Sequence, residues 1–376
     1  MKQYGKFRKI AIVHDAVLCL GGAERVLYQL LRLFPDADMY IPILQRAYRW
    51  DIRKRTNGDV RTTILSSFPR LSTYASFLKP ILFWYWEHLD LSGYDLVISS
   101  SHSFSSKSIR VSSRTLHVSY IHTPPRYLYN EYNEMRWMKH PFIQFALSPL
   151  FGWLKKKDFE GAQRPDILIA NSKTVQKRIW NYYKRKSIVI YPSVHIPSIK
   201  VLNKPRSLYF LCVSRLVKQK GIDLAIRACN DLKLPLYVVG TGPEERRLRS
   251  IAGPTVHFCG FVPDNRMADM YAGAKALLSC AIDEDFGMAP VEAMAQGVPV
   301  IAYASGGIRE TVVFEKTGIL FYDYTVGSLK KAFRDFELIS FDAKICRKQA
   351  DTFSEKRFIR RFEQIIKKYE KENTLS

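Results

Sequence analysis

"SIVIYPSVHIPSIKVLNKPRSLYFLCV", residues 187–213, decides how the rest of the chain is read. A β-branched run closes at Tyr191, a polar and Pro-rich passage continues to Pro205, and a new apolar run begins at Leu208. Such a passage is a linker. Before it stand "KIAIV" (9–13), "YDLVIS" (94–99), "LHVSYI" (116–121) and "DILIA" (166–170). After it come "PLYVV" (235–239), "TVHFC" (255–259), "AKALLSC" (274–280) and "VPVIA" (298–302). Short, nearly continuous apolar runs alternating with amphipathic stretches spell βαβ units and buried parallel sheets. The two series predict an α/β protein of two doubly wound domains, 1–195 and 196–350, facing each other across a cleft. The last segment, 351–376, sets Phe358, Phe362, Ile365, Ile366 and Tyr369 on one helical face behind Ser354 as N-cap. It is expected to pack back on the N-terminal domain.

The length of 376 residues exceeds what one core supports, and the composition is that of a folded globular protein. The net charge of +23 favours polyanionic partners: nucleic acid, an anionic membrane face or phosphorylated substrates. Six cysteines (19, 212, 229, 259, 280, 346) are scattered without a CxxC pair, several inside apolar runs, which reads as a reduced, cytoplasmic protein. No apolar run reaches the roughly 18 to 20 residues that span a bilayer. "KQYGKFRKIAIVHD" at the N-terminus lacks the apolar region and cleavage site of a signal peptide.

Ligands of open α/β sheets bind beyond the carboxyl ends of the strands, so chemistry is sought just after each run. In "HDAVLCLGGAERVLYQLL" (14–31), Gly21 and Gly22 bring backbone N–H groups to a helix N-terminus; a plain tight turn is the alternative. In "VSRLVKQKG" (213–221), Arg215 and Lys220 bracket a short loop. Two fixed cations suit a diphosphate, whose charge rises as it leaves; a solvated basic loop is the alternative. Gly240 in "VVGTGPEERRL" (238–248) makes a second, weaker glycine turn. "EDFGMAPVEAMAQGVPVIA" (284–302) puts Glu284 in a loop and Glu292 on the first turns of a helix, with Phe286 and Gly287 between. Each carboxylate accepts hydrogen bonds from vicinal hydroxyls, as on sugar and ribose rings. A glycosidase pair would have to flank one bond, which these positions do not suggest. The stretches "DED" (283–285) and "DAD" (36–38) match a metal-binding DxD pattern, but three residues are too common a match, and no metal site is assigned. His122 in "SYIHTPPRYLYNEY" (119–132) closes a strand, where it serves a substrate hydroxyl or is a core histidine. His102 in "SSSHSFSSKS" is an acceptor-side candidate.

"GGAER", "YIHTPPRY", "SRLVKQKG", "GTGPE", "EDFGMAPVEAMAQGVPVIAYASGGIRETV" and "TGILF" together resemble the retaining nucleotide-sugar glycosyltransferases of family four. The resemblance covers nearly the whole chain and implies the GT-B fold of two Rossmann-like domains. It implies that Gly22 lets the backbone approach the donor phosphate, that His122 contacts the transferred sugar, and that Arg215 and Lys220 neutralise the diphosphate. Glu284, with backbone groups of Phe286 and Gly287, would hold a sugar hydroxyl. Glu292 would take the ribose, and Phe261 and Val262 would border the base. No metal or cofactor would be needed beyond the nucleotide-sugar donor. "SSSHSF" and "YIHTPPRYLY" look most like bacterial mannosyltransferases that build surface polysaccharide on a lipid carrier, of the O-antigen type in lipopolysaccharide biosynthesis. That implies GDP-mannose, a polyprenyl diphosphate-linked glycan acceptor, and partnership with other polysaccharide-assembly enzymes. A UDP-sugar donor is the alternative. His195 in "YPSVHI" stands where many relatives of that family carry an aspartate.

"FLKPILFWYWEHL" (77–89) and "WMKHPFIQFALSPLFGWLKKKDF" (137–159) mix aromatics, apolar residues and lysines. They suit either an anionic membrane surface, at the inner face of the cell membrane, or buried helices of an acceptor domain. Nucleic-acid binding is the rival from another class; dispersed charge without a recognition motif argues against it. An epimerase or phosphorylase of the same plan, or a non-catalytic scaffold, are further rivals.

Overall fold

The computed structural model describes residues 7–68, 78–103, 105–129, 141–196 and 209–372, excluding the side chains of 141–146 and 371–372. Much of the linker, 197–205, and residues 137–140 of the second aromatic stretch lie outside them. The chain divides into two compact units, one running to Pro192 and resuming at Phe358, the other spanning Ser193–Arg357.

The first unit is built on a parallel sheet of order β3-β2-β1-β4-β5-β6-β7. Its strands are β1 (Ile10–His14), β2 (Asp38–Tyr40), β3 (Val60–Arg61), β4 (Leu96–Ser101), β5 (Leu116–Ile121), β6 (Ile167–Ala170) and β7 (Ile188–Val189). β4 and β5 are buried along their whole length, as the unbroken apolar runs require of a sheet covered on both faces. Helix Gly22–Leu33 seals one face with Val26, Leu27, Leu30 and Leu31, spaced at three and four residues. The C-terminal helix Glu355–Glu372 adds Phe358, Phe362 and Ile366 to the same core, each at most 2% exposed. Their i, i+4, i+8 spacing makes one stripe, while Arg360, Arg361, Lys367 and Lys368 stay exposed.

The second unit is a parallel sheet of order β10-β9-β8-β11-β12-β13. Its strands are β8 (Phe210–Val213), β9 (Leu236–Val239), β10 (Val256–Gly260), β11 (Ala276–Ser279), β12 (Val300–Tyr303) and β13 (Gly318–Phe321). Helices Ile222–Leu232 and Val326–Glu337 contribute Ala225, Cys229, Leu329 and Phe333 to its core. Both units are thus doubly wound, the architecture of a GT-B protein. In each, strand order reverses direction beside the first strand, between β1 and β4 and between β8 and β11. Such a switch point opens a crevice at the carboxyl ends of the strands.

β2, β3 and β13 are absent from the apolar runs picked out of the sequence. β2 and β3 are short and carry Asp38 and Arg61, so their apolar signal is weak. No disulfide joins any of the six cysteines, and four are buried. Among the described residues no helix is long and apolar enough to cross a membrane.

Candidate active site

In the second unit the sequence candidates gather at the switch point. β8 delivers Arg215 at its carboxyl end; the guanidinium is exposed and has no ion-pair partner among the described residues. A 3₁₀ turn, Lys218–Lys220, then positions Lys220, whose Nζ lies 2.6 Å from Glu284 Oε2. Glu284 arrives from the loop after β11. That loop is bedded on two glycines: Gly307 N–H donates to Glu284 O at 2.7 Å, and Gly306 has φ +58°. A Cβ on Gly306 would stand 2.1 Å from Glu284 O, so any side chain there would push the carboxylate loop away.

Gly287, with φ +92°, is the N-cap of helix Met288–Ala295, and Phe286 before it is buried edge-to-face on Phe353. Glu292 lies within this helix and accepts a hydrogen bond from Tyr271 Oη at 2.6 Å. Tyr271 was not singled out in the sequence, where it sits 21 residues away in an unmarked helix. Gly240 follows β9 with φ +127° and donates its N–H to Gly260 O at 2.8 Å. Phe261 is 75% exposed and Val262 half-buried.

The first unit holds a second polar cluster, also at its switch point. His122, directly after β5, is 7% exposed and its Nε2 lies 2.8 Å from Ser100 Oγ. Ser100 Oγ is also 2.9 Å from Nδ1 of His14, the last residue of β1. His14 Nε2 faces Glu24 Oε1 at 3.9 Å, and Glu24 Oε2 accepts the Gly21 N–H at 2.8 Å. The Gly21 N–H, read from the sequence as a phosphate donor, is engaged by Glu24 in this structure. Gly22 opens the helix itself. His102 lies beside Asp15, which accepts the His102 and Ser106 backbone N–H groups at 2.7 and 2.6 Å. Burial, reinforced by the neighbouring His102 and His14, holds His122 well below the ordinary histidine pKa, so its ring is neutral. Burial alone would raise the Glu24 carboxyl, but His14 opposite brings it below the usual range. None of His14, Asp15, Glu24 or Ser100 was marked in the sequence; the signal was a histidine ending a strand and an acid three residues after Gly21.

Asp38 accepts Tyr94 Oη and the Asp59 N–H, and Asp36 accepts Asn57 Nδ2. Asp283 adopts a left-handed backbone in the loop carrying Glu284. His195 is exposed.

The model for glycosyltransferase family 4 matches residues 20–196, and that for glycosyl transferases group 1 matches 197–353. The chain belongs to the group 1, family 4 glycosyltransferases. Among curated relatives of this glycosyltransferase, a putative colanic acid biosynthesis glycosyltransferase, WcaL of Salmonella typhimurium, is 32% identical over 161 residues, 39% of each chain. A GDP-mannose-dependent phosphatidylinositol monomannoside mannosyltransferase of Mycolicibacterium smegmatis is 35% identical over 142 residues, 33% of this chain and 37% of that one. The matches thus span well under half the length of these relatives. Anabaena HepE, solved with UDP, superposes with TM-score 0.71 at 18% identity, covering 96% of this glycosyltransferase and all of HepE. A lipopolysaccharide outer core galactosyltransferase, WaaB, gives 0.66 at 16% identity, covering 96% and 99%.

Proposed function

We propose that this protein is a retaining glycosyltransferase that moves mannose from GDP-mannose to a lipid-linked glycan during surface-polysaccharide assembly. The observation that carries the donor half is the Lys220–Glu284 contact at 2.6 Å, at the switch point of the second unit, with Arg215 earlier in the same loop after β8. Arg215 and Lys220 supply the fixed positive charge that a departing diphosphate needs. Preorganised charge is stronger at the transition state than at the ground state, where the diphosphate is still esterified. Glu284 orients a sugar hydroxyl, and Glu292, held by Tyr271, takes the ribose. Phe261, largely exposed, borders the base. His122, neutral and tied to Ser100, offers its other ring nitrogen to the transferred sugar. The 193–357 unit binds the donor and the unit formed by 7–192 and 358–372 the acceptor.

The mannose assignment is supported by the mycobacterial relative, itself named as a GDP-mannose-dependent phosphatidylinositol monomannoside mannosyltransferase. A UDP-sugar donor is the second reading, favoured by HepE and its UDP. Melting the protein with GDP, UDP or ADP at equal concentration separates them. GDP alone should raise the melting temperature, by the equivalent of about 2.7 kcal/mol at a hundredfold excess over its dissociation constant. A shift with UDP alone would overturn mannose and keep the transferase; no shift with any would remove the donor site.

The acceptor's lipid is supported by the first unit's surface. Helices Lys79–His88 and Pro141–Gln163, joined by the Phe83–Trp153 ring contact, expose Ile81, Trp84, Leu150, Trp153 and Phe159 next to Lys155 and Lys156. Aromatic and apolar side chains among lysines suit the interface of an anionic bilayer. The protein then works peripherally at the inner face of the cell membrane.

A further inference from the structure

We propose that the first unit contains a binding site for a zinc-class divalent ion, with His14 Nε2, His102 Nε2 and a Glu24 carboxylate oxygen as its protein ligands. One ligand atom from each of the three residues lies within 4.8 Å of the other two. The closest measured pair is His14 Nε2 to Glu24 Oε1, 3.9 Å. Bonds of about 2.0–2.2 Å to a tetrahedral ion place ligand atoms about 3.3–3.6 Å apart, so binding needs a contraction of roughly 1 Å.

Two independent features point to an ion. The first is the set of supporting contacts. A metal-bound histidine engages its other ring nitrogen with an oxygen that fixes the tautomer. His14 Nδ1 is 2.9 Å from Ser100 Oγ, and His102 Nδ1 is 3.8 Å from the Asp15 carboxylate. Ser100 can accept from His14 Nδ1–H and donate to His122 Nε2, which leaves the lone pair of His14 Nε2 directed at Glu24. Glu24 is held likewise, through the Gly21 N–H on its other oxygen. Asp15, with backbone N–H donors on both oxygens, is a support and not a fourth ligand.

The second feature is that His14 is wholly buried and its Nε2 has no hydrogen-bond partner. A buried ring nitrogen left unsatisfied is costly, and an ion removes that cost. Two imidazoles and one carboxylate are borderline donors suited to Zn²⁺ or Co²⁺, with a fourth position left for water. This site would tie the end of β1, the first turn of helix Gly22–Leu33 and the loop after β4 into one corner. It does not depend on the donor assignment, whose cations belong to the other unit.

The full chain, stripped with chelator and dialysed, is titrated with Co²⁺ while visible d–d absorption is followed. One equivalent should bind with the intense bands of a tetrahedral ion, and Zn²⁺ should bleach them. Glu24→Gln, which still accepts the Gly21 N–H, should weaken binding at least about a hundredfold. His102→Gln, at a less buried position, repeats the test should Glu24→Gln fail to fold, and exposed His195→Ala should bind as the parent does. Absence of the bands, bands unchanged in both site variants, or equal loss in His195→Ala would each overturn the site.

Discussion

Lys220 and Glu284 satisfy one another at 2.6 Å, so each orients the other before any ligand arrives. On the donor role proposed for it, Lys220→Ala removes one charged contact to a diphosphate, about 1.5–3 kcal/mol. Calorimetry should show GDP binding weakened roughly 10- to 100-fold and guanosine binding little changed; equal losses would contradict the role of Lys220. A different residue contributes to acid sensitivity. His117, in the middle of the first sheet, bonds Ser99 Oγ at 2.9 Å, and burial pulls its pKa down to about 3 from 6.5. Between those values the unfolded chain holds a proton that the native ring refuses, so stability rises with pH through the window and falls on acidification below 6.5. The full slope is about 1.4 kcal/mol per pH unit. His117→Gln should therefore flatten the decline of melting temperature between about pH 6 and 4.5, and an unchanged slope would assign acid lability elsewhere. At this scale the sequence was legible where partners are near in the chain or typed by a motif, as with Arg215, Lys220, Glu284 and Glu292. The contacts of Ser100 with His14 and His122, across 86 and 22 residues, were not, because only sheet registration brings those side chains together.

Among the elements, the terminal helix Glu355–Glu372 has the most distant consequences. Phe362 is fully buried against Phe34 and Phe358, inside a core built otherwise by residues up to Ile190. Phe362→Ala should cost about 3–5 kcal/mol. Because each unit has its own core, denaturation followed at separate probes should move the transition of the first unit and leave that of the second in place. Movement of both would show that they unfold together. The helix was readable from its apolar stripe, and the long central strands from their unbroken runs. β3, with two residues at a sheet edge, offers too few side chains for any period to show, and it exists because β2 is there to pair with it.

For the whole molecule, the +23 charge and the exposed tryptophans favour one partner class. The protein should float with phosphatidylglycerol vesicles and not with phosphatidylcholine ones. The double variant Trp84→Glu, Trp153→Glu should lose flotation while nucleotide still raises the melting temperature. Retained flotation would leave charge alone as the attraction. The path of the chain has a further effect, felt during synthesis. The polypeptide leaves the first unit at Pro192 and returns to it only at Phe358, after the entire second unit. As the chain emerges from the ribosome, the half that begins first must wait with an open groove where Phe358, Phe362 and Ile366 will lie. The half that begins later has all its own strands and completes itself sooner. Until Phe358–Ile366 have been translated, the nascent protein carries one finished unit and one that is sticky, which makes that stretch of synthesis the interval most exposed to misassembly.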